Sequence, residues 1–464
     1  MLKIFNKYFP IRNLLFFLGE SALIFVGIWL VMYLLSGGEG QDDPSRSAVL
    51  LKILLTTLLI QASLYYHNLY EFSQPYTLTD LSIRIAQAIG VACVFLAMLY
   101  FFLPAIALHQ TIFFVGLFFL LLVLVSWRIV YQYMCRNGLF NEKIVLVGDG
   151  YLASLISDEI HENLDSGYSI AAVFSNPGNT GLAQRLGVQE YNSYDSICEV
   201  ARANGADKIV VSLEERRGRY PTQSLLDCRL QGLTVLEGLS FYEMLSGKIL
   251  ATQTPPSWLI FSKGFQRHRM VLMSKRGLDI LFASLGLILS FPLVAVIAVL
   301  IKATSPGPVF FRQSRTGKYE RPFQVVKFRT MREDAESSSG AVWASERDPR
   351  ITAVGGILRK LRLDEIPQFW NVLKGEMSFV GPRPERPEFV EELKKRLPYY
   401  GERHTVNPGI TGWAQVNYGY GASEEDALRK LEYDLFYIKH LSLLFDLYIV
   451  LKTAKAVLIG EGVR

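Results

Sequence analysis

Five long apolar runs constrain this chain more than any other feature. They are Leu14–Leu35, Val49–Tyr66, Ile83–Leu103, Thr111–Tyr133 and Leu278–Ile301. Each is long enough for a helix to cross about 30 Å of hydrocarbon. A segment in lipid must satisfy its own backbone hydrogen bonds, so each run is expected to be helical. Half of the 464 residues are hydrophobic and 20% are charged, so polar domains must accompany the membrane part. The first run is too long for a cleaved signal peptide, and no Ala-x-Ala site follows it. Lys3, Lys7 and Arg12 precede the first run, Arg84 opens the third, and Arg128, Arg136 and Lys143 mark the exit of the fourth. The loop after the first run is acidic (Glu39, Asp42, Asp43). The positive-inside bias therefore puts both ends of a four-span block in the cytoplasm. Glu20 lies about two turns into the first run and is read as snorkelling to the interface.

The formal charge of +5, from 48 basic and 43 acidic residues, does not suggest a nucleic-acid-binding polycation. Cys93, Cys135, Cys198 and Cys228 are widely spaced and form no CxxC pair. Neither a disulfide framework nor a zinc site is expected, and the polar parts fit a reduced, cytosolic setting.

At Lys143 the character changes. Lys143–Val147 reads as a buried strand, followed by the turn Gly148-Asp149-Gly150-Tyr151-Leu152-Ala153 and a helical pattern to His161. Further strands read at Ile170–Phe174, Lys208–Ser212 and Leu233–Glu237. Strands alternating with helices predict a Rossmann-like parallel sheet. The second strand ends Phe174-Ser175-Asn176, without the acid that a dinucleotide's ribose requires, which favours a structural or regulatory module over a cofactor site.

Thr254-Pro255-Pro256-Ser257 ends that domain. Trp258, Phe261 and Phe265 then interleave with Lys263, Arg267, His268, Arg269, Lys275 and Arg276, a mixture suited to an anionic membrane surface. The fifth run carries Ser290 and Pro292 near its middle and basic residues at both ends (Lys275 and Arg276; Lys302, Arg312 and Arg315). This pattern predicts a re-entrant helix-break-helix that returns to the cytoplasm; a kinked spanning helix is the alternative.

Beyond it lies the paired acid Asp364-Glu365, preceded by Arg359 and Arg362 and followed by Gly381-Pro382-Arg383-Pro384. One reading makes Asp364 the N-cap of a helix that Gly375 closes. The other makes it a carboxylate among arginines, suited to chemistry on a phosphate. Lys327 and Arg329 alternate along an expected strand from Phe323 to Thr330 and so share a face. Arg359 and Arg362 serve either the acids or a substrate. Asp334 and Glu336 read as surface charges. Gln415 and Asn417 read either as base or sugar contacts or as turn and core hydrogen-bonding groups.

From Lys275 to Arg464 the ordered motifs resemble a known family. They are Lys275-Arg276-Gly277-Leu278-Asp279, Ser305-Pro306-Gly307-Pro308, Lys327-Phe328-Arg329-Thr330-Met331, Leu363-Asp364-Glu365-Ile366-Pro367-Gln368, Ser378-Phe379-Val380-Gly381-Pro382-Arg383-Pro384 and Pro408-Gly409-Ile410-Thr411-Gly412-Trp413. Together they look like the bacterial sugar transferases, the polyisoprenyl-phosphate hexose-1-phosphate transferases. The layout is similar to the family's large members, and also to the exopolysaccharide enzymes that accompany exosortase systems. The resemblance implies transfer of a sugar 1-phosphate from a UDP-sugar to undecaprenyl phosphate, with release of UMP and with Mg2+. It implies Asp364 as nucleophile and metal ligand, through a covalent aspartyl intermediate. Glu365 either positions the metal or adjusts protonation. Lys327, Arg329, Arg359, Arg362, Arg383 and Gln415 become the candidate substrate contacts.

The expected fold is membrane α plus α/β. It comprises a four-helix transmembrane block (1–138), a Rossmann-like middle domain (139–253), a basic aromatic linker (254–274), a re-entrant membrane helix (275–303) and a cytoplasmic α+β catalytic domain (304–464). A C-terminal helix from Glu424 to Leu458 would lie on the membrane or pack on the catalytic core. The expected setting is the bacterial inner membrane, with the catalytic domain cytoplasmic. Expected partners are the UDP-sugar, undecaprenyl phosphate, membrane lipid and a second copy of the chain, with no nucleic acid. The alternatives are a glycosyltransferase that releases UDP and an inactive membrane scaffold.

Overall fold

The computed structural model describes residues 2–4, 7–9, 11–35, 46–71, 76–104, 107–138, 140–163, 166–175, 181–213, 220–266, 268–332, 350–419, 421 and 423–459. Asn176, Arg267, Asp334, Glu336 and the acidic loop Glu39, Asp42 and Asp43 lie outside the described residues. Two compact units divide the chain between Phe241 and Tyr242.

In the first unit, short strands β1 (Leu2–Ile4) and β2 (Lys7–Phe9) precede four long helices. These are α1 (Ile11–Leu35), α2 (Arg46–Tyr66), α3 (Leu78–Phe102) and α4 (Gln110–Arg136). Their apolar positions run all round, so one face packs inward while residues such as Leu15, Phe101 and Phe118 stay exposed, as lipid-facing helices require. Ile24, Ile53, Leu64, Ile85 and Leu124 form the shared core.

Glu20 corrects the snorkelling expectation. It is wholly buried, and Arg128 of α4 donates to one carboxylate oxygen at 3.0 Å and stands 2.8 Å from the other as an ion pair. The Arg128 guanidinium also lies 5.3 Å from the Phe16 ring and 5.2 Å from the Tyr70 ring. A lone carboxylate in an apolar bundle costs several kcal/mol, so pairing across helices wins over reaching for the interface.

The parallel sheet follows, with strand order β5-β4-β3-β6-β7. Its elements are β3 (Glu142–Val147), α5 (Tyr151–Glu162), β4 (Tyr168–Phe174), α6 (Gly181–Leu186), β5 (Gln189–Tyr191), α7 (Ile197–Ala203), β6 (Lys208–Val211), α8 (Thr222–Leu230) and β7 (Thr234–Glu237). β3 and β4 read as continuous apolar strands because helices cover both faces. β5, only three residues long and partly exposed, has no such signature. Gly148 takes φ +117°, and a Cβ there would stand 2.9 Å from the Ser212 carbonyl carbon. The glycine turn is thus explained by close packing within the sheet.

Cys198 of α7 and Cys228 of α8 are joined by a disulfide, against the expectation of none. The two helices pack together and bring these Cα atoms to 5.2 Å, within disulfide range. Their separation of 30 residues gives no sign of this proximity.

The second unit opens within α9 (Gly238–Ser246), so residues 242–253, expected in the middle domain, pack with the catalytic region instead. Ile249 N–H donates to the Glu432 carbonyl at 3.1 Å, and Trp413 Nε1 donates to the Gly247 carbonyl at 2.9 Å. In the linker, α10 (Pro256–Phe261) buries Trp258 beneath the Lys439 ammonium, 4.0 Å from the ring centre, while Ile260 and Phe261 remain exposed. α11 (Arg269–Thr304) is one helix of 36 residues. The helix runs unbroken through Ser290 and Pro292, where a break was expected: the proline ring removes one rung of the hydrogen-bond ladder without ending it.

The catalytic region is built from the antiparallel pair β8 (Phe310–Thr316) and β9 (Pro322–Phe328), then α12 (Ala353–Lys360), α13 (Gln368–Lys374), β10 (Ser378–Val380), α14 (Pro387–Arg396), β11 (Gly409–Thr411), α15 (Trp413–Asn417), α16 (Glu424–Lys439) and α17 (Leu443–Ile459). Both halves of α11 pack on it. Ala283 joins Val325, Val372 and Met377, whereas Ile297 and Ile301 join Phe328 and Leu358. Between them Ile288, Leu289 and Phe291 are at least 70% exposed. The C-terminal stretch is two helices, not one. α16 buries every residue from Leu431 to Lys439 in the core, and α17 buries Phe445 and Ile449 while exposing Leu444 and Leu447.

Candidate active site

α12 ends at Leu361, and the chain reverses through Arg362, held at φ +56°. Leu363–Glu365 then forms a 3₁₀ turn, and α13 begins after Pro367. Asp364 is therefore not an N-cap. Pro367 occupies that position with no side-chain bond, whereas Gly375 closes α13 at φ +84° as expected. Both acids are buried, at 8% exposure each.

Their surroundings differ. Lys327 Nζ donates to Glu365 Oε1 at 2.8 Å, and Arg383 donates to the same oxygen at 2.9 Å. Burial alone would raise the Glu365 pKa, but Lys327 and Arg383 outweigh it and hold the carboxyl far below the usual range. No described side chain hydrogen-bonds the Asp364 carboxylate. Burial raises its pKa, Lys327 opposes the shift, and the neighbouring Glu365 charge adds to it. One acid is saturated by cations; the other is dehydrated and uncommitted.

The cations are placed by backbone. Lys327 lies on β9 opposite Phe311. Arg383 follows β10, which pairs in parallel with β11 through Ser378–Gly409 and Val380–Thr411. Gly381 and Gly409 allow that approach, since a Cβ on Gly409 would lie 2.1 Å from the Gly381 nitrogen. Behind Arg383, the buried Arg403 donates to its carbonyl at 3.1 Å and to Asp434 at 2.8 Å.

Of the six expected substrate contacts, Lys327 and Arg383 meet the acid pair directly. The charges of Arg359 and Arg362 reach Asp364 and Glu365 respectively, and Arg359 Nε donates to Thr330 Oγ1 at 2.9 Å. Arg329 points elsewhere. It is buried and clamps the exit of α11 through the Ser305 carbonyl (2.9 Å), Ser305 Oγ (2.8 Å) and the Pro306 carbonyl. Gln415 Nε2 donates to the Ile410 carbonyl at 3.1 Å, and Asn417 Nδ2 to the Trp413 carbonyl at 2.7 Å. Both therefore serve the local fold.

Sequence reasoning missed the residues that hold α11 in place. Asp279 Oδ1 accepts from Ser378 Oγ and from Phe379 N–H, both at 3.0 Å. Lys275 Nζ donates to Asp446 (2.6 Å) and to the Val380 carbonyl (2.9 Å). Arg276 donates to the last carbonyls of α13, those of Val372 (2.5 Å) and Leu373 (2.7 Å). The Lys275–Asp279 motif carried the signal, but Lys275 and Arg276 read as membrane-surface bases and Asp279 only as part of the family motif. Among the described residues no three His, Cys, Asp or Glu side chains converge as a metal cage. Mg2+ commonly takes one or two carboxylates and completes its shell with water and substrate phosphates. Asp364 and the second oxygen of Glu365 suit that mode.

The same motifs match known proteins. The bacterial sugar transferase family matches residues 270–460, and a CoA-binding domain family matches residues 67–219. The UDP-glucose:undecaprenyl-phosphate glucose-1-phosphate transferase of Xanthomonas campestris pv. campestris is 33% identical over 355 residues, covering 74% of this chain and 73% of that relative. This chain belongs to the bacterial sugar transferase family. Over shorter stretches the likeness is closer. The UDP-N-acetylgalactosamine-undecaprenyl-phosphate N-acetylgalactosaminephosphotransferase of Aeromonas hydrophila is 51% identical over 190 residues, spanning 41% of this chain and 45% of that relative. A putative undecaprenyl-phosphate N-acetylgalactosaminyl 1-phosphate transferase of Bacillus subtilis is 48% identical over 132 residues, which are 28% of this chain but 73% of the relative.

Proposed function

We propose that this sugar transferase moves a sugar 1-phosphate from a UDP-sugar to undecaprenyl phosphate, releasing UMP and forming undecaprenyl-diphospho-sugar. The observation that carries the reading is the asymmetry of the acid pair, in which Lys327 and Arg383 saturate Glu365 and leave Asp364 uncommitted. A dehydrated carboxylate is a stronger nucleophile than a solvated one. Asp364 attacks the sugar-bearing phosphorus, the bond to the UMP oxygen breaks, and UMP leaves with the electron pair. An oxygen of the lipid phosphate then attacks the same phosphorus and returns Asp364 to its free form. Splitting the transfer in two spares the enzyme from holding both anions against each other. Lys327 and Arg383 face the charge that develops on the phosphoryl oxygens. Asp364 and Glu365 would hold Mg2+, which would supply further neutralisation of the diphosphate.

The setting we propose is the bacterial cytoplasmic membrane, with α11 bent at Pro292 rather than broken, so that it returns to the side it entered, and with the catalytic unit on the cytoplasmic side. Its support is that both halves of α11 pack on one unit while its middle is exposed and apolar. A cysteine placed at Lys302 should resist a membrane-impermeant thiol reagent added from outside the cell; labelling there overturns the re-entrant arrangement.

The deciding experiment is nucleotide identification. Purified enzyme with a UDP-sugar panel and undecaprenyl phosphate should release UMP, and Asp364→Asn should release none. Release of UDP, or substantial turnover by the variant, defeats the proposal. The relatives' names include glucose, N-acetylgalactosamine and galactose, so the panel must include all three.

A further inference from the structure

A groove of about 890 Å³ runs between α11, the β8–β9 hairpin and α13. Its apolar lining includes Leu287 and Val294, which flank the exposed stretch of α11, together with Phe310 and the half-exposed Trp370. Four cations line the rest: Arg312, Lys318, Arg321 and Lys374. Lys374 lies 5.8 Å from the Trp370 ring centre, so charge and aromatic surface share the same wall. Glu376 is the acidic residue of the lining, and it accepts from Asn371 at 2.7 Å.

These cations are separate from the acid pair. Side chains directly opposite in an antiparallel pair share a face and successive ones alternate. Arg312 stands opposite Val326, and both line the groove, whereas Lys327 stands opposite Phe311 and turns to Glu365. Arg321 and Lys318 sit at the hairpin turn, roughly 20 Å along the strand from Lys327. A phosphate held at that turn lies a strand's length from Lys327, although the inner end of the groove, at Arg312, Ile366 and Pro367, comes close to the acid pair. An apolar floor continuous with a membrane helix, beneath a rim of four cations, is complementary to an anionic amphiphile.

We propose that this groove binds one anionic phospholipid of the surrounding bilayer. Its acyl chains lie against Leu287, Val294 and Phe310, and its headgroup phosphate sits among Arg312, Arg321 and Lys374. The lipid wedges the hairpin against α11 and so steadies the strand that carries Lys327. This goes beyond the transfer reaction and does not depend on its chemistry.

The test uses the full chain in detergent, stripped of lipid and then offered phosphatidylglycerol or phosphatidylcholine, with retention read by native mass spectrometry. Wild type should hold one phosphatidylglycerol and discriminate against phosphatidylcholine. The double variant Arg312→Ala/Arg321→Ala should bind phosphatidylglycerol about tenfold or more weakly, and Leu287→Trp, which fills the floor, should do the same. UMP release by each variant in lipid-free detergent should match wild type, which shows the fold and the acid pair intact. Four results overturn the proposal: no lipid held by wild type, equal retention of both lipids, unchanged binding by the variants, or one-for-one displacement by undecaprenyl phosphate. The last would give the groove to the acceptor.

Discussion

Adjacent residues Asp364 and Glu365 carry opposite electrostatic loads, and this separates their roles by experiment. Glu365 is ionised at a cost that Lys327 and Arg383 more than offset. A carboxyl with a depressed folded pKa stabilises above its unfolded value, near 4.3, and loses that contribution as pH falls through the folded value. Glu365→Gln should therefore lower stability by about 1–3 kcal/mol, given that Arg383 is partly exposed. Asp364 has the reverse sign. Its raised pKa makes the protonated form the better fit, so its contribution is present below the ordinary Asp value and is lost as pH rises through the folded one. Asp364→Asn should abolish transfer without lowering Tm, and thermal melts of the two variants should move in different directions. Transfer by wild type should likewise rise with pH through an apparent pKa above that of an ordinary aspartate, measured as kcat/KM for the donor. The acids and their basic neighbours were legible in the sequence. Which acid takes the cations was not, because that depends on the register of β9 and on the turn that delivers Arg383.

Among the elements, α11 decides most. Its length and apolar character are plain in the sequence, and so were the other four long helices and four of the five strands of the parallel sheet, all but the short β5. Its attachments were not. Lys275, Arg276 and Arg329 read as membrane-surface or phosphate-binding charges, and Asp279 carried no reading beyond its motif, because their partners are backbone carbonyls, a serine and an acid more than twenty residues away. Arg329 offers a direct check. As a substrate ligand its loss would raise the donor KM. As a clamp on Ser305 and Pro306 it should leave the donor KM within about twofold while kcat falls tenfold or more. A matched rise in KM would restore the ligand role. The split of the C-terminal helix at His440–Ser442 was hidden for a similar reason. The charged α16 is buried through paired groups, such as Lys439 with Glu243 at 2.7 Å, which composition alone reads as solvated.

For the whole molecule, the division at Tyr242 has a practical meaning. The catalytic unit carries its own core, the acid pair and all the α11 attachments described above. A chain beginning at Tyr242 should fold and release UMP from the donor within about tenfold of full length; an insoluble or inert product would show that the first unit is required. Ending the middle domain at 253, as sequence reading did, would separate Gly247 and Ile249 from the bonds they make to Trp413 and Glu432.

The way both halves of α11 grip the catalytic unit also sets the kinetics of the proposed reaction. An active site pinned to the lipid surface meets its acceptor only by lateral travel within one leaflet. The relevant concentration is then a mole fraction in the plane, not an amount per litre. Adding neutral lipid at constant total undecaprenyl phosphate should slow transfer in proportion to the dilution, while the donor, arriving from solution, keeps its ordinary saturation curve.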